Sequence, residues 1–166
     1  MAKQQDGYLS AKESRRISKE NRRITDQYEK QRKRKNVPES EYLTQMKNPE
    51  NAVEFDNLHT YFFTDTGVVK SVDGVSFEVP VGKTVGVVGE SGCGKSMTAF
   101  SLLRLLPSTG RVTSGVVTVD GTEIMGLPES MMRHIRSSKI SLIFQEPATS
   151  LNPVMTVGDQ IVETIE

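Results

Sequence analysis

The chain has 166 residues, enough for one domain with a tail, and its 21 Lys and Arg residues balance its 21 Asp and Glu residues. Its single cysteine, Cys93, excludes an internal disulfide and favours a reducing compartment. No run approaches the roughly 18 apolar residues that a membrane-spanning helix needs, and the first residues lack the apolar stretch of a secretory signal. We therefore expect a cytoplasmic protein that contacts a membrane only through a partner or its surface.

The first 50 residues form a basic, mostly polar arm. They hold 13 Lys or Arg against 8 Asp or Glu, whereas residues 51–166 hold 8 against 13. Ile17, Ile24 and Tyr28 are spaced to line one narrow helical stripe, but too few apolar positions support it for a stable core. The composition favours a solvated helix or a disordered tail, and a basic arm that contacts anionic lipid or nucleic acid is the alternative.

Strand patterns begin after a linker-like stretch, so we place the domain boundary near Asn51. Residues 53–63 are rich in β-formers, and a turn follows at 64–67. Residues 74–79 alternate apolar and polar side chains, as a half-buried strand does. The stretch "TVGVV", residues 84–88, is short, continuous and β-branched, which predicts a strand buried on both faces in a parallel sheet.

The remaining elements are predicted by the same signals of period, turn and cap. Residues 95–106 carry Met97, Phe100, Leu103 and Leu106 at helical spacing. The later elements, in chain order, are a strand over 111–119 closed by an Asp120–Gly121 turn, a short helix over 127–138 with Pro128 in its first turn, a buried-type strand over 139–144, and a helix over 156–166 that opens on a Thr156–Asp159 capping box.

The stretch Gly89–Ser96, "GESGCGKS", fits the pattern G-x-x-x-x-G-K-[ST] at every fixed position. Glycines lack a Cβ, so successive backbone N–H groups can turn inward around an anion, and the following helix points its positive end at the same place. In such a loop Lys95 reaches the β- and γ-phosphates and the Ser96 hydroxyl ligates Mg²⁺. The residues predicted to contact the nucleotide here are Gly89, Glu90, Ser91, Gly92, Cys93, Gly94, Lys95, Ser96 and Met97.

A phosphate loop alone is compatible with a GTPase, a kinase or a motor, so its neighbours must narrow the family. The stretches "VSFEVPVGKTVGVVG", "GESGCGKS" and "ISLIFQEPATSLNP" together resemble the N-terminal half of an ABC-transporter ATP-binding subunit. The "TSLNP" segment is similar to the branch of dipeptide, oligopeptide and nickel importers. The resemblance covers residues 53–166 and implies an α/β fold: a three-layer P-loop NTPase half-domain with an antiparallel β-subdomain, binding ATP and Mg²⁺.

The same resemblance assigns two residues outside the loop. Gln145 matches the glutamine that contacts Mg²⁺ and the hydrolytic water, so it joins Lys95 as a catalytic candidate and Ser96 as a metal-ligand candidate. Phe62 falls where the family places an aromatic side chain on adenine, with Tyr61 as the neighbouring candidate and a plain core role as the alternative for either. The two histidines offer no metal-binding spacing.

Partners also follow from the resemblance. It implies transmembrane permease subunits, a second ATP-binding subunit and, indirectly, an extracytoplasmic solute-binding protein, with the chain peripheral on the inner face of the cell membrane. No nucleic acid is expected. Two other interpretations stay open: a nucleic-acid-associated ABC-type ATPase whose basic arm makes the contact, and a nucleotide-binding module without turnover. The transported solute cannot be identified from these motifs.

The family pattern continues into a Ser-Gly-Gly signature, an Asp-Glu pair and a switch histidine. The sequence holds no Gly-Gly and no Asp-Glu dipeptide, and no histidine follows Gln145. We therefore expect a truncated, fragmentary or split product, with residues 1–50 as the arm and linker and residues 51–166 as the N-terminal part of an ABC-type ATP-binding domain. Without the catalytic carboxylates, it should bind ATP but lack turnover.

Overall fold

Four antiparallel strands form the sheet of the protein, in the order β2-β1-β3-β4. The structure, a computed structural model, describes residues 10–146 and 150–165. The strands are β1 (Asn51–Thr64), β2 (Gly67–Pro80), β3 (Gly110–Val119) and β4 (Thr122–Glu123). The α-helices are α1 (Ala11–Arg32), α2 (Lys95–Leu103), α3 (Glu129–Ser138) and α4 (Val157–Ile165), and a 3₁₀ turn covers Glu39–Glu41.

The central strand, β1, pairs along nearly its whole length with both neighbours. Thr60 lies opposite Val72 of β2 and opposite Val112 of β3. The β1–β2 connection is the short turn expected at 64–67. The β3–β4 connection is the expected Asp120–Gly121 turn, in which Asp120 has a φ of 46° and Gly121 a φ of 75°. Two hairpins, β1–β2 and β3–β4, therefore form at the turns that the sequence predicts, and the long-range pairing of β1 with β3 joins them into one sheet.

The core lies on the face of the sheet that α2 and α3 cover. Leu58, Val117, Ile124 and Met132 are fully buried there. Each such side chain contributes roughly 1.5–3 kcal/mol by leaving water. The buried Thr60 hydroxyl, on β1, lies 2.7 Å from the Ser101 hydroxyl of α2, so this helix is held by a polar contact as well as by apolar packing.

The N-terminal arm is α-helical over Ala11–Arg32, and one side of this helix contacts the domain. The Asn21 amide donates to the Thr64 carbonyl oxygen at 2.8 Å, and the Tyr28 hydroxyl donates to the Thr113 carbonyl oxygen at 3.3 Å. Near its C-terminal end, α1 is joined to α3 by the Arg32 Nη2–Glu129 Oε2 salt bridge of 2.9 Å. Sequence analysis expected a solvated helix or a tail, whereas polar contacts attach this helix to the domain and the stripe residues Ile17, Ile24 and Tyr28 are half-buried.

Two predicted strands are wrong. Residues 84–88 and 139–144 have no strand assignment, and Val88 and Ile143 are 92% and 91% exposed. A strand of the buried parallel type needs hydrogen-bonded neighbours on its edges, and the described residues supply no strand beside either segment. The α/β class and the antiparallel subdomain are nevertheless confirmed.

The other predicted helices are confirmed, with small changes at their ends. Pro128 is the residue before α3 rather than part of its first turn. The Thr156 hydroxyl accepts the Asp159 N–H at 3.2 Å at the start of α4. None of the helices in residues 10–146 and 150–165 is long and apolar enough to cross a bilayer.

Candidate phosphate-binding site

The glycine-rich loop lies at the N-terminal end of α2 and is anchored to β2. Gly94 precedes the helix in the left-handed region, with a φ of 96°. A Cβ on Gly94 would lie 2.3 Å from the carbonyl oxygen of Ser71, so no larger residue fits between loop and strand. Gly92 also has a positive φ, 83°, but a Cβ there would meet open space. The loop therefore has the glycine geometry that lets backbone N–H groups surround an anion.

Lys95 is bound by its own loop. Its ammonium group donates to the carbonyl oxygens of Gly89 at 2.8 Å and Glu90 at 2.6 Å, and Nζ lies 3.5 Å from the Cys93 sulfur. These contacts hold the positive charge within the loop, ahead of the first turn of α2. An anionic ligand would have to replace the two carbonyl oxygens as partner of the ammonium group.

The other loop residues differ in exposure. Ser91, Cys93 and Ser96 are exposed, so the Ser96 hydroxyl is accessible to solvent at the first turn of α2. Met97 packs against the hydrophobic core instead, so any contact with a ligand in the loop would use its backbone. Thr98, one turn into the helix, donates its N–H and its hydroxyl to the Gly94 carbonyl oxygen at 2.9 and 3.1 Å.

Phe62 and Tyr61, the two candidates for adenine stacking, alternate along β1. Phe62 lies beside Gly110 and Leu106: a Cβ on Gly110 would be 2.9 Å from the Phe62 ring. Both neighbours follow the C-terminal end of α2, whereas the loop lies at its N-terminal end. The structure therefore gives Phe62 a packing contact of its own, and its role toward adenine stays a prediction.

Tyr61 belongs to a polar cluster that sequence analysis missed. Its hydroxyl donates to Asp73 at 2.6 Å, His59 Nδ1 lies 2.8 Å from the same carboxylate, and the Lys70 ammonium lies 5.2 Å from the Tyr61 ring centroid. The hydrogen bonds from Tyr61 and His59 lower the pKa of Asp73 to about 2. The side chain of His59 thus links neighbouring polar groups of β1 and β2. The cluster links β1 to β2, because His59 of β1 lies opposite Asp73 of β2. No local sequence motif predicts this pairing.

Gln145 is exposed and follows Phe144, whose ring centroid lies 6.5 Å from that of Phe100 on α2. This aromatic contact places the residue before Gln145 against α2, the helix that follows the glycine-rich loop. The predicted contacts of Gln145 with Mg²⁺ and water stay predictions. Within residues 10–146 and 150–165, no group of three His, Cys, Asp or Glu side chains is arranged to hold a metal ion.

Comparisons with known proteins identify what this arrangement is similar to. A family model described as ABC transporter matches residues 72–165. The chain is 46% identical over 127 residues to the oligopeptide transport ATP-binding protein OppD of Salmonella typhimurium, covering 76% of this chain and 38% of that protein. It is 45% identical over 117 residues to the dipeptide transport ATP-binding protein DppD of Bacillus subtilis, covering 70% of this chain and 35% of that protein.

A probable peptide ABC transporter ATP-binding protein of Sinorhizobium fredii is 47% identical over 111 residues, covering 66% of this chain and 33% of that protein. The chain therefore spans about a third of the length of the curated relatives it matches. Among solved structures, the dimeric bacterial ABC transporter cassette MJ0796 superposes with a TM-score of 0.60 at 22% identity, covering 68% of this chain and 46% of that chain. That similarity concerns the fold alone.

Proposed function

The chain belongs to the ABC transporter family, and on that basis we propose that it is the nucleotide-binding part of an ATP-binding subunit of an importer. The cargo would be peptides or a related small solute, because the relatives named above are oligopeptide, dipeptide and probable peptide transport proteins. The subunit would couple ATP binding and hydrolysis to uptake. Its partners would be transmembrane permease subunits and a second ATP-binding subunit, with a solute-binding protein acting indirectly.

One observation carries this proposal: the Gly89–Ser96 loop opens at the N-terminus of α2, with the Lys95 ammonium group held inside it. Backbone N–H groups of the first turn of a helix attract anions, and a lysine beside them adds a full positive charge. The tight fit of Gly94 against Ser71 fixes where those N–H groups lie. The loop is therefore suited to the polyphosphate of a nucleotide.

Within this proposal each residue has a distinct task. Lys95 would leave the carbonyl oxygens of Gly89 and Glu90 and donate to the β- and γ-phosphate oxygens. The exposed Ser96 hydroxyl would ligate Mg²⁺, which supplies charge neutralisation between the phosphates. Gln145 would contribute an amide that both donates and accepts without titrating, toward Mg²⁺ and the attacking water.

Turnover by these 166 residues alone is not expected. General-base catalysis of hydrolysis in this family uses a carboxylate from an Asp-Glu pair, and the sequence contains no such dipeptide. We propose that the chain binds Mg²⁺·ATP but needs complementary catalytic residues from further polypeptide. Binding and hydrolysis should thus separate cleanly in this protein.

The test compares the wild-type chain with Lys95→Ala for binding of a fluorescent ATP analogue and for phosphate release. Wild type should bind, Lys95→Ala should bind at least tenfold more weakly, and neither should release phosphate above background. A Lys83→Ala variant, at an exposed position outside the loop, is the matched control and should bind as wild type does. Equal binding by all three proteins would exclude the loop as the site, and steady-state hydrolysis lost in Lys95→Ala would contradict the lack of turnover.

A further inference from the structure

A second concave site lies at the opposite end of α2 from the phosphate loop. It is bounded by α1, by the residues that follow α2, by the start of β3 and by the 125–127 segment. Three arginines line it, one from each of three elements: Arg32 of α1, Arg104 after α2 and Arg111 of β3. We call it the arginine pocket. In the part of the chain that the structure describes, no acidic residue lines its wall, which otherwise consists of Tyr28, Gln31, two glycines and apolar side chains.

Arg104 is a half-buried guanidinium group that is bound by backbone carbonyl oxygens rather than by a salt bridge. Its Nη1 donates to the carbonyl oxygens of Ile124 at 3.1 Å and Leu127 at 2.6 Å, and no carboxylate lies within salt-bridge distance of it in residues 10–146 and 150–165. Burial, together with the positive charges of Arg32 and Arg136, lowers the pKa of Arg104 to about 10 and outweighs the opposite effect of Glu129 and Glu123. It therefore stays charged at neutral pH although its surroundings disfavour the charge.

Arg111 is only 9% exposed and is incompletely satisfied. Its Nη1 donates to the Gly110 carbonyl oxygen at 2.6 Å and its Nη2 contacts Glu29 at 3.2 Å, but its buried Nε has no hydrogen-bond partner. Leaving a buried donor without a hydrogen-bond partner is unfavourable. Arg32, like Arg111, is paired with a carboxylate, that of Glu129 at 2.9 Å. The pocket thus concentrates positive charge that the protein itself only partly neutralises.

The size of the pocket restricts what it can hold. Its volume is about 60 Å³, and a bound water occupies roughly 10–15 Å³ on this measure. The space accommodates a group of four or five heavy atoms, such as a tetrahedral oxyanion, but not a whole nucleotide. Arginine is well suited to such a group because its planar fork donates two hydrogen bonds to neighbouring oxygens.

We propose that the arginine pocket binds a phosphate group and that the bound phosphate strengthens the attachment of α1 to the domain. The phosphate would interact with Arg104 and Arg111 on the domain and with Arg32 on the helix. Its source is either free inorganic phosphate or the phosphomonoester of a small metabolite. This inference does not depend on the proposed function, because the pocket and the phosphate loop lie at opposite ends of α2.

The experiment uses the full chain carrying Lys95→Ala, which weakens phosphate binding in the loop. Calorimetric titrations at constant ionic strength compare inorganic phosphate, phosphoserine and acetate, so that general salt screening is the same in each. Inorganic phosphate should bind saturably and acetate at least tenfold more weakly. Phosphoserine separates the two sources: tighter binding than inorganic phosphate indicates a phosphomonoester, and weaker binding indicates the free ion.

Two variants test the location, and one is a control. Arg104→Gln and Arg32→Gln should each raise the dissociation constant for phosphate at least tenfold, whereas Arg133→Gln, at an exposed site on α3, should change it less than twofold. If circular dichroism shows that Arg104→Gln does not fold, the dissociation constant of Arg32→Gln, on the peripheral helix, tests the location of the phosphate site.

Limited trypsin digestion tests the second half of the inference. Phosphate should slow cleavage at the exposed basic residues after α1, Lys33, Arg34 and Lys35, at least threefold, and it should not do so in Arg32→Gln. The proposal is overturned by the absence of saturable phosphate binding, by equal binding of acetate, by binding that ignores both pocket substitutions, or by cleavage that phosphate does not slow.

Discussion

Apolar stretches of this chain are buried in one of its two regions and exposed in the other. In the antiparallel subdomain, which comprises β1 to β4 with α2 and α3, Leu58 and Val117 are completely buried. Val88, in the 84–88 segment before the phosphate loop, is 92% exposed, and Ile143, in the 139–144 segment after α3, is 91% exposed. Since the sequences are similarly hydrophobic, apolar character alone does not decide burial. What decides it is whether partner strands are available nearby.

Every strand of the subdomain finds its neighbours within the described chain. β1 and β2 form a hairpin with a short turn, and β3 pairs with the other edge of β1 although Thr60 and its partner Val112 lie 52 positions apart (112 − 60). Parallel strands need crossover connections and neighbours from distant segments, so the 84–88 and 139–144 segments depend on contacts that the described residues do not provide. Because exposed apolar side chains such as Val88 and Ile143 lie on unpaired backbone, these segments are predicted sites of association with other chains.

The sharpest test of this contrast substitutes one residue from each region. Leu58→Ala leaves a cavity in a packed core and should lower the free energy of unfolding by about 2–5 kcal/mol. Ile143→Ala should change it by no more than about 0.5 kcal/mol, since the side chain is 91% exposed. Urea unfolding followed by circular dichroism measures both effects.

The same two variants should reverse their order in an association measurement. Ile143→Ala should reduce the fraction of oligomer seen by light scattering, while Leu58→Ala should not. If Ile143→Ala destabilises the protein as much as Leu58→Ala does, the 139–144 segment is packed in solution and the contrast between the regions disappears.

Sequence patterns predicted the features that local chemistry determines. The β1–β2 hairpin, α2 and the Asp120–Gly121 turn all follow from periodicity, from glycine placement or from turn residues within a few positions. The phosphate loop was recognisable for the same reason, because its glycine and lysine spacing is contiguous. The loop's closeness to Ser71 of β2, in contrast, arises only when the strands are assembled.

Other features could not be predicted because they depend on tertiary contacts. The arginine pocket brings together Arg32, Arg104 and Arg111, which lie up to 79 positions apart (111 − 32) and share no motif. The strand prediction at 84–88 failed for a related reason: the pattern reports a tendency to be buried, not the presence of a neighbour. Attachment of α1 depends on polar side chains such as Asn21, which composition assigns to a solvated face.

A second prediction concerns Gly94 and Gly92, at the junction of the two regions. Both have a positive φ, so alanine at either position costs about 1–2 kcal/mol of backbone strain. At Gly94 the new Cβ would also overlap the Ser71 carbonyl oxygen, which adds about 1–3 kcal/mol of overpacking. Gly94→Ala should therefore lower both stability and ATP-analogue binding more than Gly92→Ala, as urea unfolding and fluorescence titration would show. Equal effects would mean that the loop is not seated on β2.

A third prediction probes the packed region through pH. Burial of Glu54 raises its pKa, but hydrogen bonds from the Asn48 N–H, the Asn51 amide and the Lys47 N–H outweigh burial, and the net pKa is lowered. A lowered folded-state pKa stabilises the protein fully above the unfolded value of about 4.3, and this contribution is lost as pH falls through the folded value. The stability advantage of wild type over Glu54→Gln should thus be largest above the unfolded pKa, for example at pH 7, and should shrink as the pH is lowered below it.

The control for this titration is Glu50→Gln, at an exposed position in the same segment. Its stability difference from wild type should stay near zero across the range. A difference for Glu54→Gln that does not shrink on acidification would show that the lost hydrogen-bond geometry, rather than the carboxylate charge, is responsible.

The smallest expected effect is a change in labelling rate at Cys93, in the exposed region. As the single cysteine of the chain, it reports on the loop without further engineering, and it is exposed. Its sulfur lies 3.5 Å from the Lys95 ammonium group, and a Cβ on Gly89 would be 2.7 Å from it, so a ligand in the loop would contact or cover the thiol. Saturating Mg²⁺·ATP should therefore slow alkylation by iodoacetamide several-fold in wild type, and it should have no effect in Lys95→Ala, which retains the thiol but loses the ligand. Labelling at one rate in all four conditions would place the nucleotide elsewhere, and the exposed region would then lack the function that its sequence motif predicts.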